Sequence, residues 1–316
     1  MAEAVGISGE TTRQSCDFVR SDGSRCPAAP VDGEKGLCFW HDADISKEDR
    51  NVREFLEEWA DSGQSMEGFN LRYASLEGLK LSNKKNRDLR GAELLKANLA
   101  GANLNEALLQ DAELLGANIE GARLDRTEWG DRCLNEQRAM QAERQGDGEK
   151  ALGQYKEAEE VYRSLRRAYV ARAEASQAGL FFRQEMTLRR KQMPLWSADR
   201  AWSKLIDLAC GYGESPPRVI VSALALNLIC GVGYFFLGIL SPEGPMKFDP
   251  SASMMTNLSH FAECVYYSVV TFTTLGYSDE ARQVWIVRPL AAAQAFLGAF
   301  MMALFMVVFG KKMTRS

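Results

Sequence analysis

Between residues 69 and 129 the apolar residues recur every five positions. Neither a strand, with a side-chain period of about 2, nor an α-helix, with one of about 3.6, can keep such a series on one face. Leu71, Leu76 and Leu81 open it. After a three-residue slip at 84–86 it resumes as Leu89, Leu94, Leu99, Leu104, Leu109, Leu114, Ile119, Leu124 and Trp129. Two residues before most of these stands alanine: Ala92, Ala97, Ala102, Ala107, Ala112, Ala117 and Ala122. One large and one small apolar side chain per unit, with polar residues between, describes a stacked solenoid around a narrow, filled interior.

The unit is seen as ANLAG at 97–101 and ANLNE at 102–106, and it resembles the pentapeptide repeat, A-(D/N)-L-x-x. That resemblance implies a right-handed four-sided β-helix with four units per coil, here about three coils and about 15 Å tall at one strand spacing per coil. Just before it, residues 46–61 have the pattern of an amphipathic helix: Ser46 as cap, Val52, Phe55, Leu56 and Trp59 on one face, Gly63 as stop. Such a helix would cover one open end of the solenoid. After it, 131–193 return to helical spacing, broken at Gly146 and Gly148. A stripe of Tyr155, Ala158, Val161, Tyr162, Leu165 and Tyr169 faces Leu180, Phe181, Met186 and Leu188 in a pattern similar to one tetratricopeptide-type helix pair. One pair makes no array, so it reads as a docking or coupling element.

The last third of the chain has a different composition. Residues 219–240 and 289–310 are each 22 positions without a charge, and about 20 helical residues cross a hydrocarbon core of about 30 Å. Ser215, Pro216 and Pro217 suit the start of the first span. Arg200, Lys204 and Arg218 precede that span, and Lys311, Lys312 and Arg315 follow the second. Only Lys247, Arg282 and Arg288 lie between. The positive-inside tendency then places both termini in the cytoplasm of a protein of the cell (inner or plasma) membrane. Residues 196–210 read as an amphipathic helix at the membrane surface, with Trp196 and Trp202 at the boundary, although a soluble domain's surface helix has the same pattern. Asn227, polar within the first span, reads as a helix–helix hydrogen bond before an ion contact.

Between the spans, a short apolar helix at 259–273 runs into Thr274-Leu275-Gly276-Tyr277-Ser278-Asp279. This order, with its T-x-G-Y core, resembles the re-entrant pore segment of two-span potassium-channel-like proteins, whose filter reads TVGYGD. The resemblance implies a homotetramer in membrane lipid. In it the carbonyls of Thr274, Leu275, Gly276 and Tyr277 replace the water of a potassium ion, and Tyr266 and Tyr267 buttress the filter from behind. Ser278 replaces the family's second glycine and puts strict potassium selectivity in question. Gly298, 21 residues past Tyr277, stands where that family carries a hinge glycine, though a packing glycine fits equally. Phe305, Met306 and Phe309 suit either a hydrophobic gate or a lipid face. His260 suits a rim or cap before a sensor of external pH. No span carries a basic residue every third position, so no voltage sensor is expected.

Near the start, Cys16, Cys26, Cys38 and His41 supply three thiolates and an imidazole, a complete tetrahedral zinc set of structural type. Buried free thiols and a redox switch are the other readings. Seven cysteines and the absence of a secretory leader in MAEAVGISGE suggest a reducing compartment. With 38 Lys+Arg against 42 Asp+Glu, nucleic-acid binding by bulk charge is not expected. No catalytic set appears, so no enzyme is expected.

The expected fold is thus a multi-domain membrane protein. A cytoplasmic pentapeptide-repeat right-handed β-helix and an α-helical linker precede an all-α two-span pore domain with a re-entrant pore helix. The divisions are 1–45 (zinc module), 46–62 (capping helix), 63–130 (solenoid), 131–195 (helical hairpin), 196–214 (interfacial helix) and 215–316 (pore). The expected function is a cation channel gated by its cytoplasmic part, with an unidentified effector or protein partner there. The alternative is a membrane-anchored interaction scaffold with a vestigial or non-selective pore.

Overall fold

The computed structural model describes residues 15–31, 35–48, 51–241, 244–274, 285 and 287–313. The chain divides into two compact units, Met1–Gln192 and Met193–Ser316.

In the first unit, isolated parallel bridges join Asn70 to Glu93, Ser75 to Asn98 and Lys80 to Asn103, partners 23 residues apart. From Asp88 onward the partners are 20 apart, as in Glu93–Glu113, Asn98–Asn118 and Asn103–Arg123. Four five-residue units therefore make one coil, and the slip at 84–86 is absorbed in the first. Every large position from Leu71 to Leu124 is buried, as is every alanine position. Met66 extends the register one unit back, and Phe69 and Leu79 fill small positions of the first coil. The pairing is by single residues and not by continuous strands, because a corner follows each Leu. Two residues past it the backbone is left-handed, at Gly68, Gly78, Gly91, Gly101, Gly116 and Gly121 but also at Tyr73, Lys96, Glu106, Asp111 and Arg126. Where an Asn or Asp precedes the large residue, its side chain steadies that corner. Asn98 Oδ1 accepts from Ala100 N (3.2 Å), Asn118 Oδ1 from Glu120 N (3.1 Å) and Asp88 Oδ1 from Arg90 N (3.1 Å).

Both ends of the solenoid are covered. Helix α1 (Val52–Ser62) lays Val52, Leu56 and Ala60 on the first coil, and Ala60 O accepts from Asn86 N at 3.1 Å. It begins six residues later than the sequence suggests. Ser46 does not cap it; its Oγ accepts from Glu48 N in a local turn, where the buried Lys47 ammonium donates to Asp42 O (2.6 Å). Phe55 lies exposed, and Ala60 takes its expected place on the buried face. The far end meets α2 (Leu134–Arg144), α3 (Gly148–Ala171) and α4 (Ala175–Lys191). Tyr169 Oη donates to Leu124 O (3.2 Å) and accepts from Trp129 Nε1 (2.9 Å). Leu180, expected in the helix-pair interface, is exposed. The buried Glu185 stands there instead, paired with Arg163 (3.1 Å) and Arg166 (2.7 Å).

The second unit opens with α5 (Ala198–Cys210), where Ser197 Oγ accepts from Arg200 N at 3.2 Å. Helix α6 (Pro216–Leu237) carries proline in its first turn, but the Ser215 side chain makes no capping bond. The span closes at Gly238, short of the expected 240, because Ile239–Ser241 (β1) turns back to pair with Gly244–Met246 (β2). Helix α7 (Met254–Phe272) starts five residues before the expected 259, because Ser253 Oγ accepts from Thr256 N (3.2 Å). At 19 residues it is longer than expected, with the polar Asn257, His260 and Glu263 in its first half. Helix α8 (Val287–Met313) completes the unit. Among the described residues, α6 and α8 are the two helices long and apolar enough to cross a membrane.

Candidate functional site

Helix α7 is held against both spans by close backbone approach. A Cβ on Gly298 would lie 2.2 Å from Phe272 O, and one on Gly231 would lie 3.0–3.1 Å from Val265. Gly298 is therefore a notch that receives the last turn of α7. The chain leaves that turn at Thr274, whose φ of 55° is strained for a β-branched residue. Leu275, Gly276, Tyr277 and Ser278 lie outside the described residues. Tyr267 packs edge-on against Tyr234 of α6, ring centroids 5.0 Å apart, whereas Tyr266 is exposed on the other side of α7. The Asn227 backbone O accepts from Ser268 Oγ (2.8 Å), and its side-chain Oδ1 accepts at 3.4 Å from Ser268 Oγ and from Gln294 Nε2, the helix–helix bonding its position suggested. His260 Nδ1 donates to Lys247 O (3.2 Å), which ties the start of α7 to the segment after β2.

At the other end of the spans, Ile206 and Cys210 of α5 pack with Val219 of α6 and with Val308, Leu304 and Phe305 of α8. Phe305 stacks on Phe309 (5.4 Å), while Met306 points away and is 71% exposed. Phe305 and Met306 thus lie on different faces of α8. Two ion pairs brace this corner: Arg218 with Asp207 (2.7 Å) and Lys311 with Glu214. Trp196, Trp202, Leu205 and Leu208 remain on an exposed apolar side.

In the first unit, Cys16, Cys26, Cys38 and His41 converge, all buried, with their ligand atoms within 4.8 Å of one another. A tetrahedral zinc with sulfur at about 2.3 Å sets edges of about 3.8 Å between sulfurs and about 3.5 Å from sulfur to nitrogen. The observed edges are 3.9 Å (Cys26–Cys38), 3.6 Å (Cys16–His41 Nδ1) and 3.2 Å (Cys38–His41 Nδ1). The donor set fits the ion. His41 is oriented from outside: Nε2 donates to Glu67 O (3.0 Å), and Phe18 stacks on the ring (3.9 Å). The hydrogen bond between Cys26 and Cys38 lowers the Cys26 thiol. Together with burial it pushes Cys38 up to about 11. The cluster also closes the solenoid. Trp40 stacks on Phe69 (5.0 Å), and Trp40 O accepts from Asn70 N (2.7 Å), where a preceding coil would otherwise stand.

The sequence reading missed Ser268, Gly231 and Gln294 as contacts of the re-entrant helix. The available signal was weak: polar or small side chains inside uncharged runs, as Asn227 is.

Residues 221–315 match the family described as Ion channel. Residues 88–127 match Pentapeptide repeats, in eight copies. No curated protein matches the chain. A pentapeptide-repeat segment is therefore joined to an ion-channel segment, and the second unit is a membrane domain in contact with lipid.

Proposed function

We propose that the chain is a homotetrameric monovalent cation channel, potassium-conducting and gated by its N-terminal unit, in the cell membrane with both termini cytoplasmic. The observation that carries this reading is α7. Its C-terminal turn is seated on Gly298 of the second span, and the next residues are TLGYSD. A helix aimed this way presents its negative end to a central cavity and favours a cation there. Thr274, Leu275, Gly276 and Tyr277 are the residues whose carbonyls would replace the ion's water, with Tyr266 and Tyr267 as the outer support.

Gating enters through α5. This helix packs on both α6 and α8, and the Lys311–Glu214 pair ties the end of the second span to the turn after α5. The exposed Trp196 and Trp202 suit a membrane–water boundary. A displacement of α5 by the cytoplasmic unit therefore reaches the inner end of α8, where Phe305 packs on the α5–α6 corner. Deletion of 1–190 is expected to change open probability; an unchanged value would reduce that unit to an anchor. Zinc at Cys16, Cys26, Cys38 and His41 is structural in this reading: four protein ligands leave no open position for chemistry.

The scaffold alternative rests on the solenoid surface alone. That surface offers little acidic field, since Arg72 pairs with Glu93 and Glu113, Arg90 with Asp88, and Arg87 and Arg126 with Glu106. Reversal potentials in mixed potassium and sodium, on liposomes holding the full chain and its Ser278→Gly variant, test the proposal. Cation current is expected in both, with the potassium preference raised in Ser278→Gly. No flux from a folded tetramer would leave the scaffold reading standing.

A further inference from the structure

We infer that Gln294 is a positioning residue for the conducting segment: it locks the last two turns of α7 to both spans. The inference rests on the channel reading. Gln294 lies at the middle of α8 and is 1% exposed. Its Oε1 accepts from Tyr234 Oη of α6 (2.6 Å). Its Nε2 donates to Ser268 Oγ (2.6 Å) and Ser268 O (3.0 Å) of α7. Ser268 Oγ in turn donates to Asn227 O of α6 (2.8 Å). One amide thus joins all three helices, and its donors and acceptor are all used.

The register gives the network its consequence. Gln294 and Gly298 are one turn apart on α8, and Ser268 and Phe272 are one turn apart on α7. The two pairs meet: a polar bond at Ser268, then bare backbone contact between Gly298 and Phe272 O. The polar bond fixes how far α7 is turned about its axis. The glycine fixes how closely its end approaches α8. Together they set the position from which Thr274 leads into the filter residues. In hydrocarbon no water can replace these partners, so a missing one leaves a neighbour unsatisfied.

The test uses the full chain in phosphatidylcholine–phosphatidylglycerol liposomes, with potassium and sodium as the only permeant cations. Gln294→Leu removes the acceptor of Tyr234 Oη and the donor to Ser268, while Ser268 Oγ keeps Asn227 O. Amide hydrogen exchange over residues 264–274 is expected to rise about tenfold, and the potassium-to-sodium permeability ratio to fall. Ser268→Ala is expected to do the same to a lesser degree. The Gln294→Leu/Ser268→Ala double variant should be no worse than Gln294→Leu, as members of one network behave. Gln294→Glu keeps the acceptor for Tyr234 but loses the donors to Ser268, and should lower the ratio as the loss of the Ser268 bond does. A structural role alone would reduce the amount of assembled channel and leave the ratio alone. Unchanged exchange and unchanged ratio in Ser268→Ala and Gln294→Leu would overturn the inference. Should Gln294→Leu fail to assemble, Ser268→Ala and Gln294→Glu carry the same comparison. A wild-type chain that passes no ions sinks the channel reading, and the exchange measurement then decides the lock on its own.

Discussion

The two units solve opposite packing problems. In the solenoid the leucines at the large positions from Leu71 to Leu109 are almost completely buried, and most charged side chains stand towards the surface in pairs. In the second unit Leu224, Ile229, Phe296 and Phe300 are all at least 60% exposed, while Asn227, Ser268 and Gln294 are buried. Water drives leucines inward in the first case. A hydrocarbon solvent leaves them outside in the second, and cohesion falls to close backbone contact and hydrogen bonds. The inversion, more than the length of either helix, marks which unit belongs in lipid.

The comparison breaks most severely at the ends of the solenoid. Cys38→Ser removes one of the four proposed zinc ligands, from a cluster that also supplies the first coil's missing neighbour. It should lower the stability of the N-terminal unit by on the order of 5 kcal/mol or more and reduce bound zinc from about one per chain. Metal analysis and thermal melting of the purified protein check both, and an untouched melting point would remove the cluster from the fold's support. A smaller effect sharpens the contrast between solvents. Leu99→Ala, in the dry interior, should cost about 3 kcal/mol, whereas Leu224→Ala, on an exposed face of α6, should stay within about 0.5 kcal/mol. Equal losses in parallel denaturation series would mean that the second unit buries that face in protein.

The smallest effect is electrostatic. Burial alone would raise the Asp88 carboxyl, but bonds from the Arg90 guanidinium, Arg90 N and the Ser65 hydroxyl outweigh it and hold it below the usual carboxylate range. A depressed carboxyl stabilises the fold above its unfolded value of about 3.9 and loses that contribution as the pH falls through its folded value. Asp88→Asn should therefore melt below wild type at pH 7, and the gap should close in acid. A gap that persists once the folded-state carboxyl has itself been protonated would assign the loss to hydrogen bonding rather than charge.

Much of this was legible before any coordinates. The five-residue period identified the solenoid because a repeat incompatible with helix and strand leaves few alternatives. The position of α1 was less legible: 46–51 has helical composition, but Lys47 is drawn down onto Asp42 O by the Cys/His module, a contact set by folding at a distance. The corners at Tyr73, Lys96, Glu106, Asp111 and Arg126 were equally hidden. A left-handed backbone there costs about 1 kcal/mol each, and the bridges to the next coil offset it only once the coils are stacked. In the second unit Gly298 read as hinge or packing residue with equal weight, and the contact with Phe272 O, 2.2 Å from where its Cβ would be, could not be read from the local pattern.

By itself the sequence determined the inventory: a pentapeptide solenoid, two apolar spans with a T-x-G-Y segment between them, and a Cys3His set. Each is written in local spacing, and periodicity, length and ligand count survive without knowledge of neighbours. Tertiary structure decided what closes the solenoid at either end, which glycine is a notch, and that one glutamine joins three helices. Those are relations between residues up to 67 positions apart, and no local pattern carries them, because their energy exists only when the partners have already been brought together.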